Sequence, residues 1–244
     1  MKVIINSNVL KDVVNVLSGI VDEVGITAGD SGWSVCTADP AHVSLVSMNI
    51  PKESFVFYEF DEYLKEFTLD LDELRTGLGM MDGDDVAVTI ENGKCTMKTD
   101  TVKYSHNTIH NAVTQPKVPS LQLPLVVDIP TNRLQKATRF STKVSDHLRI
   151  TFARQQDGLS ILSGNDTSDV DVNIPASECE FIGLPGEPVS SMFPLDYLMN
   201  IVKPIPASCD KITLRLGHNY PCELRYSFGG IDTSFLLAPR IEND

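Results

Sequence analysis

The chain has 244 residues, 42% hydrophobic and 22% charged, which suits one large or two small globular domains and excludes a disordered chain. No apolar run is long enough to span a bilayer, and the opening MKVIINSNVL turns polar too soon for a signal peptide, so an intracellular protein with no membrane contact is expected. A net charge of −13 argues, taken alone, against a nucleic-acid binder, and five widely spaced cysteines without a CxxC pair read as free thiols rather than a zinc site or disulfide framework.

In chain order, Asn8 to Ser18 reads as a helix. Val9, Leu10, Val13, Val14, Val16 and Leu17 form its apolar face, and Ser7 or Asn8 is the expected N-cap. Gly25 to Ile50 reads as alternating strands with a hairpin turn at Asp30-Ser31-Gly32. Leu71 to Met81 is a second short helix, ended by Met81-Asp82-Gly83-Asp84. Val86–Ile90 and Cys95–Tyr104 are expected strands joined at Glu91-Asn92-Gly93. From Thr114 to Val127 the chain carries Pro116, Pro119 and Pro124 between apolar residues, which forbids a helix and leaves an extended connector. Composition alone has its leucines packing down on a neighbouring domain. Beyond it, Thr131–Thr142 and Leu195–Lys203 read as helices, and Lys211–Leu216, Cys222–Phe228 and Thr233–Leu237 as strands.

The two halves echo each other at an offset of 124 positions. SNVL at Ser7 matches TNRL at Thr131, Ile26-Thr27 matches Ile150-Thr151, Asn49-Ile50-Pro51 matches Asn173-Ile174-Pro175, and Leu71-Asp72 matches Leu195-Asp196. Four matches in one order predict a duplicated α+β unit of two helices and antiparallel strands, split as 1–114, a connector over 115–126, and 127–244.

Catalytic signatures are missing from the sequence: there is no GxSxG, Walker loop, GxGxxG or HExxH. The five histidines are scattered, and acidic clusters such as Asp82, Asp84 and Asp85 fall in turns, so no catalytic residue, metal or cofactor is assigned. The informative feature is the helix from Thr131. Arg133, Lys136, Arg139 and Lys143 recur along one side of it, opposite Leu134, Ala137, Phe140 and Val144. A solvated face of snorkelling side chains and a local positive field within an acidic protein are both open readings. Lys11 and Lys203 would add to the field if duplication sets the helices side by side.

Three segments then point to a family: TADPAHVSLVSMNIP (37–51), KVPSLQLP (117–124) and SFLLAPRIEND (234–244). They resemble the DNA sliding clamp of archaea and eukaryotes, proliferating cell nuclear antigen, and the short tail after Glu242 resembles the archaeal members. The resemblance covers the whole chain. It implies the DNA clamp fold: two similar domains, each with two helices packed on antiparallel sheets, in a head-to-tail homotrimeric ring around duplex DNA. In the cell this means cytoplasm and nucleoid for an archaeon, or the nucleus for a eukaryote. Helices would line the hole, so that an acidic exterior and a cationic pore coexist. By resemblance the DNA-facing positions are Lys11, Lys136, Arg139 and Lys203, joined on the basic helix by Arg133 and Lys143. Asp12, Ser18 and Gly79 depart from the basic pattern and Arg75 only approaches it, which assigns most of the contact to the second domain. The resemblance also turns the connector into one wall of a partner groove, with His42, Val43 and Leu45, then Pro116, Val118 and Pro119, then Pro221, then Leu236, Ala238 and Pro239. Ala38 replaces a larger apolar residue there. Partners implied are DNA polymerase, flap endonuclease, DNA ligase and a clamp loader. Ring closure is expected where the strand at Cys95–Tyr104, or its continuation to Ile109, meets the strand near Cys179–Leu184 of the next chain. Two alternatives stand beside this reading: a clamp subunit of a heterotrimeric or repair-specific ring, and a metal-dependent hydrolase on a β-rich scaffold.

Overall fold

Local chemistry sets the ends of the helices. In the computed structural model, which describes all residues except 111, 112, 114, 154–157 and 242–244, strand β1 (Lys2–Asn6) runs directly into helix α1 (Ser7–Leu17). The cap is Asn6 rather than Ser7 or Asn8: its side-chain oxygen accepts from Asn8 N at 3.0 Å and Val9 N at 3.4 Å. Ser7 is buried instead, and its hydroxyl donates to the Gly83 carbonyl at 2.6 Å. Asp70 caps helix α2 (Leu71–Met80) in the same way, through Asp72 N and Glu73 N.

The chain forms two compact units. The first comprises Met1–Pro40, Leu45–Val118 and Ser227–Thr233; the second comprises Ala41–Ser44, Pro119–Tyr226 and Ser234–Asp244. The end of the first predicted domain, at Thr114, lies outside the described residues, and a strand already begins at Leu125 within the predicted connector.

In the first unit β2 (Glu23–Gly29), β3 (Gly32–Ala38), β4 (Ser44–Pro51) and β6 (Glu66–Asp70) form a sheet in the order β4-β3-β2-β6. β5 (Phe57–Glu59), β7 (Asp85–Glu91), β8 (Lys94–Lys98) and β9 (Lys103–Asn107) join β1 in the order β5-β1-β7-β8-β9. The Cys95–Tyr104 segment is therefore two strands, not one, folded back by a turn in which Thr99 N donates to the Val102 carbonyl at 2.9 Å. Ile109 is not a free continuation of the edge either, because its N–H donates to the Thr68 carbonyl at 3.0 Å. The first residues of the last strand, Ile231–Thr233, belong to this unit and flank β4.

The second unit repeats the plan. Its helices are α3 (Thr131–Ser141) and α4 (Leu195–Val202). Its strands are β10 (Leu125–Pro130), β11 (His147–Phe152), β12 (Leu159–Gly164), β13 (Asp169–Ile174), β14 (Glu180–Gly183), β15 (Val189–Pro194), β16 (Lys211–Leu216), and β17 (Cys222–Phe228) and β18 (Ile231–Leu237) apart from their residues within Ser227–Thr233. They run in the orders β13-β12-β11-β15 and β14-β10-β16-β17-β18, the same connectivity as the first unit strand for strand. Single hydrogen bonds repeat as well. Leu71 N donates to Asp22 O and Leu195 N to Asp146 O, both at 2.9 Å. Ser7 N donates to Asp84 O at 2.7 Å and Thr131 N to Asp210 O at 2.9 Å.

Each unit keeps its core between its helix pair and its sheets. Leu10, Val13, Val14 and Leu17 of α1 and Leu71, Leu74 and Leu78 of α2 are buried in the first; Leu134, Ala137, Leu195, Leu198 and Ile201 are buried in the second. Such side chains each stabilise by about 1.5–3 kcal/mol on full burial. The α3 face differs from its periodic reading. Thr138 and Ser141 are buried, whereas Phe140 is 38% exposed. All five thiols are free; Cys36, Cys95, Cys209 and Cys222 are buried and Cys179 is half-buried. No helix among the described residues is long and apolar enough to cross a membrane.

Candidate functional site

Helix α3 sets its cations in a row because basic residues recur every three positions while Leu134 and Ala137 fix the opposite face in the core. Pro130, Arg133, Lys136 and Arg139 line one side of a hollow of about 860 Å³, and Met199, Val202 and Lys203 at the end of α4 line the other. Gln135 ties the two helices by donating to the Val202 carbonyl at 3.2 Å. The hollow brings together four predicted positions: Arg133, Lys136, Arg139 and Lys203.

Their charges are not equivalent. Arg133 makes a bidentate pair with Glu178, Nε to Oε2 at 2.6 Å and NH2 to Oε1 at 2.5 Å. That hydrogen bonding lowers the Glu178 carboxyl and raises the Arg133 guanidinium, so each keeps its charge and the pair is nearly neutral from outside. The Lys136 ammonium and the Arg139 guanidinium both sit 5.5 Å from the Phe140 ring centre. The aromatic that a simple periodic reading places in the core thus steadies the two outward cations. Lys203 caps α4, where the helix dipole favours a positive side chain. Lys143 follows α3 and is exposed, with its N–H on the Phe140 carbonyl. Among the described residues no carboxylate is paired with Lys136, Arg139, Lys143 or Lys203. Lys11 lies half-exposed on α1 of the first unit, while Arg75 is bound to Asp72 at 2.5 Å.

The second candidate surface is apolar. Within the second unit the Val43 carbonyl accepts from Ala238 N at 2.8 Å, so the segment after β18 lies along His42–Ser44. Val43, Pro221, Ala238 and Pro239 are half-buried; His42, with φ of 56°, and Pro119 are exposed. Leu236 is only 7% exposed. Leu123 is buried and touches the place of a side chain on Gly217, which supports the loop before Pro221. Leu45, Pro116 and Val118 belong to the first unit. There Cys36 Sγ lies 3.3 Å from the Pro116 carbonyl, Gln115 Nε2 donates to Thr27 Oγ1 at 2.7 Å, and Val118 is 45% exposed. The connector is therefore both a packed segment, through Leu123, and an exposed apolar one, through Val118.

Sequence reasoning missed the polar residues that hold the tail. Arg240 N donates to the Met192 carbonyl at 2.7 Å, and Arg240 NH1 donates to Asp146 Oδ2 at 2.9 Å. Asp146 Oδ1 lies 2.6 Å from His147 Nδ1. Hydrogen bonding to His147 first, and then to Arg240, lowers the Asp146 carboxyl to about 2. Arg240 stands within the quoted terminal motif, but nothing in the sequence connects it to a residue 94 positions earlier. No three His, Cys, Asp or Glu side chains among the described residues converge as metal ligands.

Known proteins match this chain along its whole length. Residues 2–118 match the family described as Proliferating cell nuclear antigen, N-terminal domain. A DNA polymerase sliding clamp of Methanosarcina barkeri is 32% identical over 100% of this chain and 99% of its own, and one of Methanococcoides burtonii is 30% identical over the same shares. Among solved structures, Archaeoglobus fulgidus PCNA bound to the C-terminal region of FEN-1 is similar with a TM-score of 0.88 and 28% identity, covering 100% of this chain and 99% of that one. PCNA of Thermococcus kodakaraensis shares the fold at the same TM-score with 18% identity. With two similar units of this topology and relatives at this identity over its full length, the chain belongs to the DNA polymerase sliding clamp family, the proliferating cell nuclear antigens.

Proposed function

We propose that this chain acts as a non-enzymatic processivity factor, closing as a homotrimer around duplex DNA and tethering replication and repair proteins by their peptide tails. The observation that carries the reading is the hollow between α3 and α4: a chain of net charge −13 concentrates unpaired cations at Lys136, Arg139 and Lys203 on one surface. A ring holds its DNA by topology, so a few sequence-independent phosphate contacts suffice and sliding is permitted. Lys143 extends this cationic surface, with Arg133 already committed to Glu178, and Lys11 is a DNA-facing cation of the first unit. The two units are the N- and C-terminal clamp domains. The apolar surface takes the tails of a DNA polymerase, a flap endonuclease, a DNA ligase and the clamp loader, all in the cytoplasm around the nucleoid.

Ring closure follows from the repeat. β9 and β13 each end a sheet and correspond to β18 and β4 under the duplication. Since β18 starts beside β4, the same pairing made between chains joins β9 of one to β13 of the next, in preference to β14.

The test is primer extension by a cognate polymerase on circular and linear templates. Product length should rise with the clamp on the circle and stay near the clamp-free length on the linear template, from which a ring slides off. Equal product lengths with and without the clamp on the circle would reject the reading.

A further inference from the structure

We propose that β15 is the strut that sets the width of the apolar groove, with Ser191 as its positioning residue and Asp146 as an outer brace. The inference rests on the groove reading above and assigns roles to residues outside the groove itself.

β15 pairs with β11 along one side and ends its sheet, yet its other side is not bare. The Ser190 carbonyl accepts from Asn219 N at 2.9 Å, and the Met192 carbonyl accepts from Arg240 N at 2.7 Å. These carbonyls are two residues apart, so they face the same way, about 7 Å from each other along the strand. One holds the loop that leads into Pro221, and the other holds the tail just after Pro239. Between them the Ser191 side chain, fully buried, uses both capacities of its hydroxyl: it donates to the Gly217 carbonyl at 2.8 Å and accepts from Tyr220 N at 3.1 Å. Three consecutive residues of one strand therefore suspend both proline walls, at Asn219 and Tyr220 before Pro221 and at Arg240 after Pro239. Asp146 reinforces the tail side by binding the Arg240 side chain.

A rigid strand with fixed spacing makes the groove preformed, and a preformed site spares an incoming peptide the cost of ordering its receptor. Losing the Ser191 hydroxyl takes this donor from the buried Gly217 carbonyl and this acceptor from the Tyr220 N–H, and frees the Pro221 wall.

The experiment compares Ser191→Thr with Ser191→Val, two side chains of equal shape that differ in the hydroxyl, alongside Asp146→Asn and the unaltered chain. Each is titrated calorimetrically with a synthetic peptide carrying a glutamine, an aliphatic residue and two aromatics, with particle mass and amide exchange followed in parallel. Ser191→Val should bind about tenfold more weakly than Ser191→Thr. Its Tyr220 amide should exchange faster while the β11 amides are unchanged. Asp146→Asn should weaken binding about two- to fivefold, as expected for an exposed ion pair. Equal affinity of the Thr and Val variants, with the unaltered chain binding, would overturn the role of Ser191 and leave the groove reading intact. Failure of the unaltered chain to bind would overturn both.

Discussion

Gly32 and Gly158 occupy matching places at the start of β3 and β12, and both have left-handed backbones, with φ of 127° and 112°. A Cβ on Gly32 would lie 2.1 Å from the Ile50 carbonyl oxygen, and one on Gly158 would lie 2.0 Å from that of Ile174. Neither neighbour is a side chain that can swing away, so strain and collision act together. Gly32→Ala and Gly158→Ala should each destabilise the chain by about 1–3 kcal/mol, read as a lowered urea midpoint. An unchanged midpoint for either would mean that the turn relaxes freely. Asp146 gives a second prediction at this scale. Its carboxyl is lowered to about 2, so whatever it adds to holding the tail is complete above the ordinary aspartate range. That contribution is lost only as pH falls from about 4 through about 2. Unaltered and Asp146→Asn chains should therefore differ in peptide affinity by a constant ratio from pH 8 down to 5. A ratio that collapses within that interval would assign the brace to another group.

At the scale of elements, α3 is where charge and packing are sorted most sharply. Reversing Lys136 and Arg139 to Glu should shorten the products of clamp-dependent synthesis while moving stability by about 0.5 kcal/mol or less per site, the usual range for surface positions. Full-length products from the double variant would remove α3 from DNA contact. The helix cations and core leucines were legible in sequence because helical periodicity reports them directly. Phe140 was not, since periodicity cannot see that two flanking cations make an exposed ring favourable. The cap falls on Asn6 rather than on Ser7, whose hydroxyl is drawn to Gly83 by a contact 76 residues away. Cys95–Tyr104 read as one strand because alternation continues across a tight turn. The apolar residues of the connector and tail were visible in the sequence as prolines and aliphatics, whereas Ser191 and Asp146 carry no local signal: their partners are brought to them by tertiary folding alone.

For the whole molecule, edge pairing predicts a particle of about 80 kDa by light scattering, three times the 26.8 kDa chain. Neighbouring backbone donors on a strand point to opposite sides. Of Ser105→Pro and His106→Pro in β9, one therefore removes a donor facing β8 and should lower stability. The other removes a donor facing outward and should yield a folded particle of single-chain mass. Trimers of normal mass from both variants would place closure elsewhere.

The burial of the cysteines has a practical consequence. Desolvation pushes the Cys95 and Cys222 thiols up to about 12 and raises those of Cys36 and Cys209, so almost none is thiolate near neutrality. Cys179, also raised, is the one that is merely half-buried. Replacing it by serine leaves a chain whose native thiols are silent towards maleimide. A single cysteine placed on an exposed strand would then carry one fluorophore per subunit, enough to test whether individual particles travel along stretched DNA.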